Sequence, residues 1–142
     1  KRIIKQFKIE ENWGIKKINT YKKFNKKAKL IINKIKKTII LKFNMGYRLG
    51  CYTASAKGNT MLNCLNLNKK YLQFVSENNI KKINKYTPGT HIRIVNDKEF
   101  LKKKIDYALL LSWNYAKFFI KNTEYKKRGG KFIIPFPQFK IK

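Results

Sequence analysis

Residues 47–65 read YRLGCYTASAKGNTMLNCL, and this stretch contains a strand, a loop and a helix in succession. Apolar and aromatic residues dominate Tyr47–Thr53, which predicts a β-strand. The small residues at positions 54–58 predict a loop, and Asn59–Leu65 places its apolar residues on one side of a short helix. A strand followed directly by a helix is the first half of a β-α-β unit, so the stretch predicts an α/β fold.

The same alternation continues toward the carboxyl terminus. Further strands are predicted at Tyr71–Ser76, His91–Val95, Tyr107–Ser112 and Lys131–Pro135. One helix is predicted from Asp97, as its N-cap, to about Lys103, and another over Asn114–Lys127, ended by Gly129 and Gly130. Strands that alternate with helices form a mostly parallel sheet. The predicted fold class is therefore α/β, a Rossmann-like three-layer domain.

A basic arm and a long helix are predicted ahead of the sheet. Residues 1–16 are basic and contain the breaker Gly14, which predicts an extended arm. From Lys17 to about Phe43, apolar residues recur every three or four positions, which predicts an amphipathic helix with a lysine-rich side. Such a helix can lie on a membrane, but packing on the sheet is preferred because the sheet needs covering helices. The predicted domains are residues 1–16 and 17–142.

The charge of the chain is far from balanced. Its 142 residues include 35 Lys and Arg against 7 Asp and Glu, a formal net charge of +28, and no acid lies between Glu11 and Glu77. Such a domain repels itself unless counter-charge is supplied, so a polyanionic partner is expected. RNA is preferred over an anionic membrane because lysine suits backbone phosphates. The residues predicted to bind RNA are Lys16, Lys17, Lys22, Lys23, Lys26, Lys27, Lys29, Lys34, Lys36, Lys37, Lys126, Lys127 and Arg128.

The titratable residues form no recognisable catalytic set. His91 is the only histidine, and Cys51 and Cys64 lack metal-ligand spacing, so no metal or cofactor is predicted. Both cysteines are expected to be reduced and buried. Asp97 is interpreted as a helix cap and Asp106 as a charge at a strand edge. No apolar run is long enough to predict a transmembrane helix.

Two loops that follow predicted strands each allow two interpretations. Thr53–Gly58 leads into a helix N-terminus, where backbone amides can bind phosphate; the preferred alternative is a tight turn that packs the helix on the sheet. Trp113 and Asn114 follow the strand Tyr107–Ser112, where α/β folds place ligands. The alternative is that Asn114 caps the next helix and Trp113 only fills the cleft.

Four blocks of sequence resemble one known family. In chain order they are YTASAKGNT at 52–60, KYTPGTHI at 85–92, LLLSWN at 109–114 and GGKFIIPFP at 129–137. Together they resemble the C-terminal domain of the sugar C-methyltransferases that act on nucleotide-linked deoxysugars. The resemblance implies a Rossmann-like fold. It also implies a zinc segment and an S-adenosylmethionine-binding catalytic domain ahead of such a domain, and neither is recognised in these residues.

The chain departs from the family pattern near the implied ligand cleft. The family tends to have glycine where Thr53 stands and aspartate where Ser76 stands, for which Glu77 is a partial substitute. It usually has an acidic pair where this chain has Lys117 and Phe118. The loss of acids and gain of lysine predicts a decayed ligand site. The residues assigned to this vestigial cleft are Thr53, Lys57, Gly58, Trp113 and Asn114.

The preferred hypothesis at this point is a structural, rRNA-binding component of a mitochondrial ribosome. It would derive from a methyltransferase C-terminal domain, would not be an enzyme, and would contact rRNA and neighbouring ribosomal proteins in the matrix rather than occur as a free monomer. The abundance of Lys, Asn and Ile is typical of AT-rich organellar genomes and favours this location. Two alternatives remain: a subunit of a split sugar C-methyltransferase, and a basic accessory subunit of a mitochondrial membrane complex.

Overall fold

One six-stranded, mostly parallel sheet organises the computed structural model, which describes residues 1–142. Its strands are β1 (Leu49–Tyr52), β2 (Phe74–Ser76), β3 (Arg93–Val95), β4 (Tyr107–Leu110), β5 (Lys131–Ile134) and β6 (Lys140–Ile141). Their spatial order is β3-β2-β1-β4-β5-β6, and only β6 runs antiparallel to its neighbour. The predicted mixed α/β, Rossmann-like fold class is confirmed.

Central strands β1 and β4 are buried along their whole length, as their apolar sequences require. Gly50 in β1 is needed for close packing, because a Cβ there would lie 2.9 Å from the Phe100 ring and from the Phe74 carbonyl oxygen. Strand β6 was not predicted, and β5 is not the last strand. A two-residue edge strand carries too little sequence pattern to be recognised, and its pairing depends on the fold around it.

Six α-helices accompany the sheet. They are α1 (Arg2–Trp13), α2 (Ile18–Asn44), α3 (Ala56–Leu65), α4 (Asp97–Lys102), α5 (Ala116–Asn122) and α6 (Glu124–Lys127), with a short 3-10 helix at Trp113–Tyr115. The single helix predicted over 114–127 is divided at Thr123, whose extended backbone and side-chain cap start α6. Helix α3 begins three residues before its predicted start because Ser55 caps it, accepting the Gly58 amide.

The chain divides into two compact units, residues 1–31 and residues 32–142. Residues 1–16 were predicted to be extended, and this is wrong: Arg2–Trp13 is helical. Ile3, Ile4 and Phe7 have helical spacing, and the breaker Gly14 ends the helix in the left-handed conformation at φ 74° instead of preventing it. The predicted domain boundary after residue 16 stays a prediction.

Helix α2 was predicted over residues 17–43, and the structure confirms it with one residue's difference at each end. In the second unit its residues Ile35 and Ile39 are completely buried. That burial agrees with the preferred interpretation, in which the apolar side of the helix packs within the domain. None of the helices has the length and apolar character needed to cross a bilayer.

The core of the second unit includes a cluster of aromatic rings around β1. The Tyr52 ring lies 5.2–5.9 Å from those of Phe100, Phe119, Tyr125 and Phe132, measured between centroids. Cys51 is buried as predicted, and burial raises the pKa of its thiol. Cys64 is exposed, which corrects the prediction that both cysteines are buried.

Candidate functional site

The carboxyl ends of β1 and β4 meet where the strand order reverses. From β1 the sheet grows toward β2 and β3, and from β4 it grows toward β5, so a crevice opens between the loops that follow the two strands. The loops are joined directly. The Thr53 hydroxyl donates to the Ser112 hydroxyl over 2.8 Å, and the Ser55 hydroxyl donates to the Leu111 carbonyl over 3.0 Å. We call this crevice the switch-point cleft.

Lys57, Trp113 and Asn114 meet at the same cleft although they come from different loops. The Lys57 ammonium donates to Asn114 Oδ1 over 2.6 Å and lies 5.0 Å from the centre of the Trp113 ring. The Trp113 ring also packs against Phe136, with centroids 5.1 Å apart. The alternative that Asn114 caps the following helix is wrong, because no side chain caps the 3-10 helix or α5.

Gly58, the fifth residue assigned to the cleft, packs helix α3 against the sheet. It is buried, and a Cβ at this position would lie 2.4 Å from Leu111 Cβ and 2.8 Å from Ser55 Oγ. Helix and strand can approach this closely only with glycine here. The loop is therefore a tight packing turn, and this does not prevent it from binding phosphate at the helix N-terminus.

The backbone at Thr53 adopts a conformation that favours glycine. Thr53 has a φ of 69°, in the left-handed region that β-branched residues rarely adopt. Its amide donates to the Ser76 carbonyl over 2.8 Å and its hydroxyl contacts Ser112, so neighbouring groups hold it in this conformation.

Glu77 ties the end of β2 to this loop. Its carboxylate accepts the Ala54 amide over 2.9 Å and the amides of Asn78 and Asn79 over 2.9 and 3.1 Å. Lys82 lies 3.6 Å from the same carboxylate and donates to the Ala54 carbonyl over 2.8 Å. Partial burial alone would raise the pKa of Glu77, but these amides and the charge of Lys82 hold it below its ordinary value.

Asp97 contributes to the same region and is not the cap of α4. The cap is Asn96, whose side chain accepts the Glu99 amide over 2.8 Å. Asp97 instead accepts hydrogen bonds from the Tyr52 hydroxyl at 3.0 Å and from the Ser76 hydroxyl. Burial, together with the Asp97 charge, raises the pKa of Tyr52. Asp106 accepts the Arg48 amide over 2.8 Å, beside the start of β1.

A cavity of about 450 Å³ adjoins the switch-point cleft. The loop residues 54–56 line one part of it, and the segment 85–88 with Lys82 lines another. Asn59 also lines it, and its amide oxygen Oδ1 is buried without any hydrogen-bond partner. Sequence reasoning did not assign Asn59, Lys82, Lys85 or Tyr86 to a site. The quoted blocks 52–60 and 85–92 contain three of these four residues, so the resemblance held a signal for them.

The lysines predicted to bind RNA lie on separate elements. Most of those on α2 are exposed, whereas Lys36 is partly buried. Three predicted residues have partners within the chain: Lys16 pairs with Glu11 at 2.9 Å, Arg128 pairs with Glu124 at 3.0 Å, and Lys126 donates to the Gly130 carbonyl over 3.4 Å. RNA binding by these residues stays a prediction. No group of three or more His, Cys, Asp or Glu residues is placed to hold a metal ion.

Comparison with known proteins identifies the family. Residues 1–137 match the model of the C-methyltransferase C-terminal domain. The chain is also 30% identical over 133 residues to C-methyltransferase NovU of Streptomyces niveus, an alignment that covers 93% of this chain and 32% of that protein. The chain thus spans about a third of the length of this relative.

These matches correct one prediction and leave another without support. The prediction that the chain is not an enzyme is contradicted, because both the matched family and the relative are C-methyltransferases. The ribosomal, mitochondrial and translational assignments receive no support from either match. The resemblance deduced from the four sequence blocks is confirmed: this chain belongs to the C-methyltransferase C-terminal domain family.

Proposed function

We propose that this chain is the part of a sugar C-methyltransferase that binds the nucleotide-linked sugar substrate. The observation that carries the proposal is the switch-point cleft with its adjoining cavity, which is lined by Asn59, a residue whose buried Oδ1 has no hydrogen-bond partner. A buried acceptor left without a donor costs about 1–3 kcal/mol. That cost is offset when a ligand supplies the missing donor, such as a hydroxyl of a sugar or an N–H of a base.

The N-terminus of α3 supplies the phosphate-binding end of this site. The Ser55 side chain and carbonyl accept the amides of Gly58 and Asn59, while the amides of Ala56 and Lys57 have no partner within the helix. Such amides, with the positive end of the helix dipole, attract anions. Lys57 uses one donor on Asn114, which leaves two for a phosphate oxygen.

The cavity suits the uncharged remainder of such a substrate. Its volume of about 450 Å³ lies within the range of small-molecule sites. Apolar groups of Ala54, Pro88 and Ile94 line it together with the Tyr86 ring, while Lys82 and Lys85 add positive charge. A ligand with a flat or partly apolar body and a negative end matches that lining.

The acidic residue that follows the second strand is bound to the backbone of the chain itself. In dinucleotide-binding folds an acidic residue after the second strand holds the ribose hydroxyls. Here that residue is Glu77, and both of its carboxylate oxygens already accept backbone amides. We therefore place the nucleotide-linked sugar at the N-terminus of α3 and in the 450 Å³ cavity, and not at Glu77.

Isothermal titration of the chain with a nucleoside-diphosphate-linked deoxyhexose tests the proposal. We expect Lys57→Gln to weaken binding about tenfold, the effect of one lost charge-assisted hydrogen bond. Asn59→Leu should also weaken binding, yet raise the free energy of unfolding by about 1 kcal/mol, because the unpartnered oxygen is gone. Lys121→Gln on α5 is the matched control and should bind as the parent chain does. Absence of binding, or equal losses in Lys57→Gln and Lys121→Gln, would contradict the proposal.

A second proposal rests on charge alone: the lysines of α2 bind RNA. Residues 12–76 contain no acid, and Lys22, Lys23, Lys26 and Lys27 are all exposed. Phosphate contacts by lysine release counterions and bring affinity without sequence selectivity. This surface is separate from the switch-point cleft in sequence, so both proposals can hold for one chain.

A further inference from the structure

A cationic hollow of about 510 Å³ lies at the amino-terminal ends of the parallel strands. Arg48 immediately precedes β1, Gln73 immediately precedes β2, and Arg93 is the first residue of β3. The residues that line it are Arg48, Lys69, Gln73, Phe74, Tyr86, His91, Arg93 and Lys103. The switch-point cleft lies at the opposite, carboxyl-terminal ends of the strands, so the hollow is a different site.

The hollow concentrates positive charge without a matching number of acids. None of its lining residues is acidic. Glu99 lies 3.6 Å from Arg93 and 3.7 Å from Lys103, so one carboxylate is shared between two cations. Arg48 and Lys69 take part in no ion pair. Asp106 accepts a hydrogen bond from the backbone amide of Arg48 and does not contact its guanidinium.

The two arginines of the hollow distinguish it from the lysine-covered surface elsewhere, because arginine binds phosphate with a defined geometry. The chain has only four arginines among 35 basic residues, and two of the four line this hollow. The planar guanidinium binds phosphate oxygens through two parallel hydrogen bonds, whereas lysine acts as a point charge. Two arginines at one hollow therefore favour phosphate, whose oxygens can pair with a guanidinium, over a single-atom anion such as chloride.

An exposed aromatic ring stands at a fixed place beside these arginines. Tyr86 is 58% exposed and forms a β-bridge with Arg93. The turn between them is held by Thr87, whose amide donates to the Ile92 carbonyl and whose hydroxyl accepts the Ile92 amide. Exposed rings next to cations are the arrangement on which nucleic-acid bases stack.

We propose that the hollow binds a nucleoside phosphate, with phosphate on Arg48 and Arg93 and the base against Tyr86. The ligand is either a free nucleotide or one unit of a single-stranded RNA, since both present the same base and phosphate. The proposal does not rest on the sugar-binding function. Tyr86 borders both the hollow and the 450 Å³ cavity, so the variants that separate the two sites must lie elsewhere.

Fluorescence-detected binding of ADP to the whole chain tests the hollow. Arg48→Gln should weaken ADP binding about tenfold, as expected for the loss of one charge-assisted contact. Arg2→Gln on α1 removes the same charge from the same residue type outside the hollow and should have little effect. Lys69→Gln provides a second variant at an exposed position if Arg48→Gln does not fold. Equal weakening in Arg48→Gln and Arg2→Gln would mean general attraction to a basic chain and would overturn the proposal.

Two further comparisons identify the source of the ligand and separate this site from the cleft. If a six-nucleotide single-stranded RNA displaces ADP, and its affinity falls in Arg48→Gln, the ligand is a unit of single-stranded RNA. If ADP binds and the RNA does not displace it, the ligand is a free nucleotide. Asn59→Leu should leave the Arg48-dependent ADP binding unchanged. If ADP binding depended on Asn59 and Lys57 but not on Arg48 or Lys69, the hollow would be excluded and the cleft retained.

Discussion

The carboxylate of Glu77 shows how a single side chain can hold the candidate site together. It joins the end of β2 to the loop after β1 by accepting the Ala54 amide, and it also closes the turn at Asn78 and Asn79. The sequence suggested Glu77 only as a partial substitute for the aspartate that the family has at Ser76. The structure gives it a distinct role: it fixes the backbone on which Ser55 and the first turn of α3 depend.

Glu77→Gln should therefore change the pH dependence of stability. Because the pKa of Glu77 is lowered in the folded chain, its contribution is present above the ordinary value of 4.5 and is lost as the pH falls through the folded-state pKa. We expect the variant to be about 1–2 kcal/mol less stable than the parent chain near pH 7. Below pH 4.5 the difference should shrink.

Urea unfolding of both chains across this pH range measures the difference. Glu124→Gln is a suitable control, because Glu124 pairs with Arg128 on an exposed helix surface and should cost only about 0.3–0.5 kcal/mol. A constant offset between Glu77→Gln and the parent chain at every pH would show that the ionised carboxylate does not matter.

The positions of the cleft residues could be predicted because they follow directly after predicted parallel strands. Four side chains assigned to the cleft, Thr53, Lys57, Trp113 and Asn114, do meet there, because parallel strands bring their carboxyl ends to one edge. The role of Asp97 was not predictable, since its partners Tyr52 and Ser76 lie more than twenty residues away along the chain. Nor could sequence reveal that the Asn59 oxygen is buried, because burial depends on the whole fold.

Among the elements, the long periodic ones were predicted best. Helix α2 differs from its predicted bounds by one residue at each end, since its apolar repeat extends over seven turns of helix. Helix α1 was missed because its basic residues and Gly14 suggested an arm. The break at Thr123 was missed because Ala116–Lys127 has no glycine or proline, and only the backbone of Thr123 reveals it.

Charge reversal of the exposed lysines of α2 tests whether this helix binds RNA. Changing Lys22, Lys23, Lys26 and Lys27 together to Glu should abolish binding to a structured RNA such as transfer RNA, measured by electrophoretic mobility shift. The four positions are exposed, so the circular dichroism spectrum should remain that of the parent chain. The matched control changes Lys98, Lys102, Lys117 and Lys121, four exposed lysines on α4 and α5. An equal loss in the control would assign the binding to total charge and not to α2.

The whole molecule combines the fold of an enzyme family with a large excess of positive charge. The chain belongs to the C-methyltransferase C-terminal domain family, and the loops after β1 and β4 are joined at the switch-point cleft. The charge of +28 requires counter-charge, but only five of the 35 basic side chains form ion pairs within the chain. The remaining cations repel one another in the folded state more than in the expanded unfolded state.

Salt should therefore stabilise this chain. Raising sodium chloride from about 0.05 M to about 0.5 M shortens the screening length from roughly 14 Å to about 4 Å, which weakens repulsion between exposed cations. All five ion pairs are at least a third exposed on their basic side and contribute little, so their loss cannot offset that gain. We expect Tm to rise by about 4 °C, on the order of 1 kcal/mol for a chain of this size. A Tm that fell with added salt would show that the ion pairs, and not the repulsion, dominate the electrostatic free energy of folding.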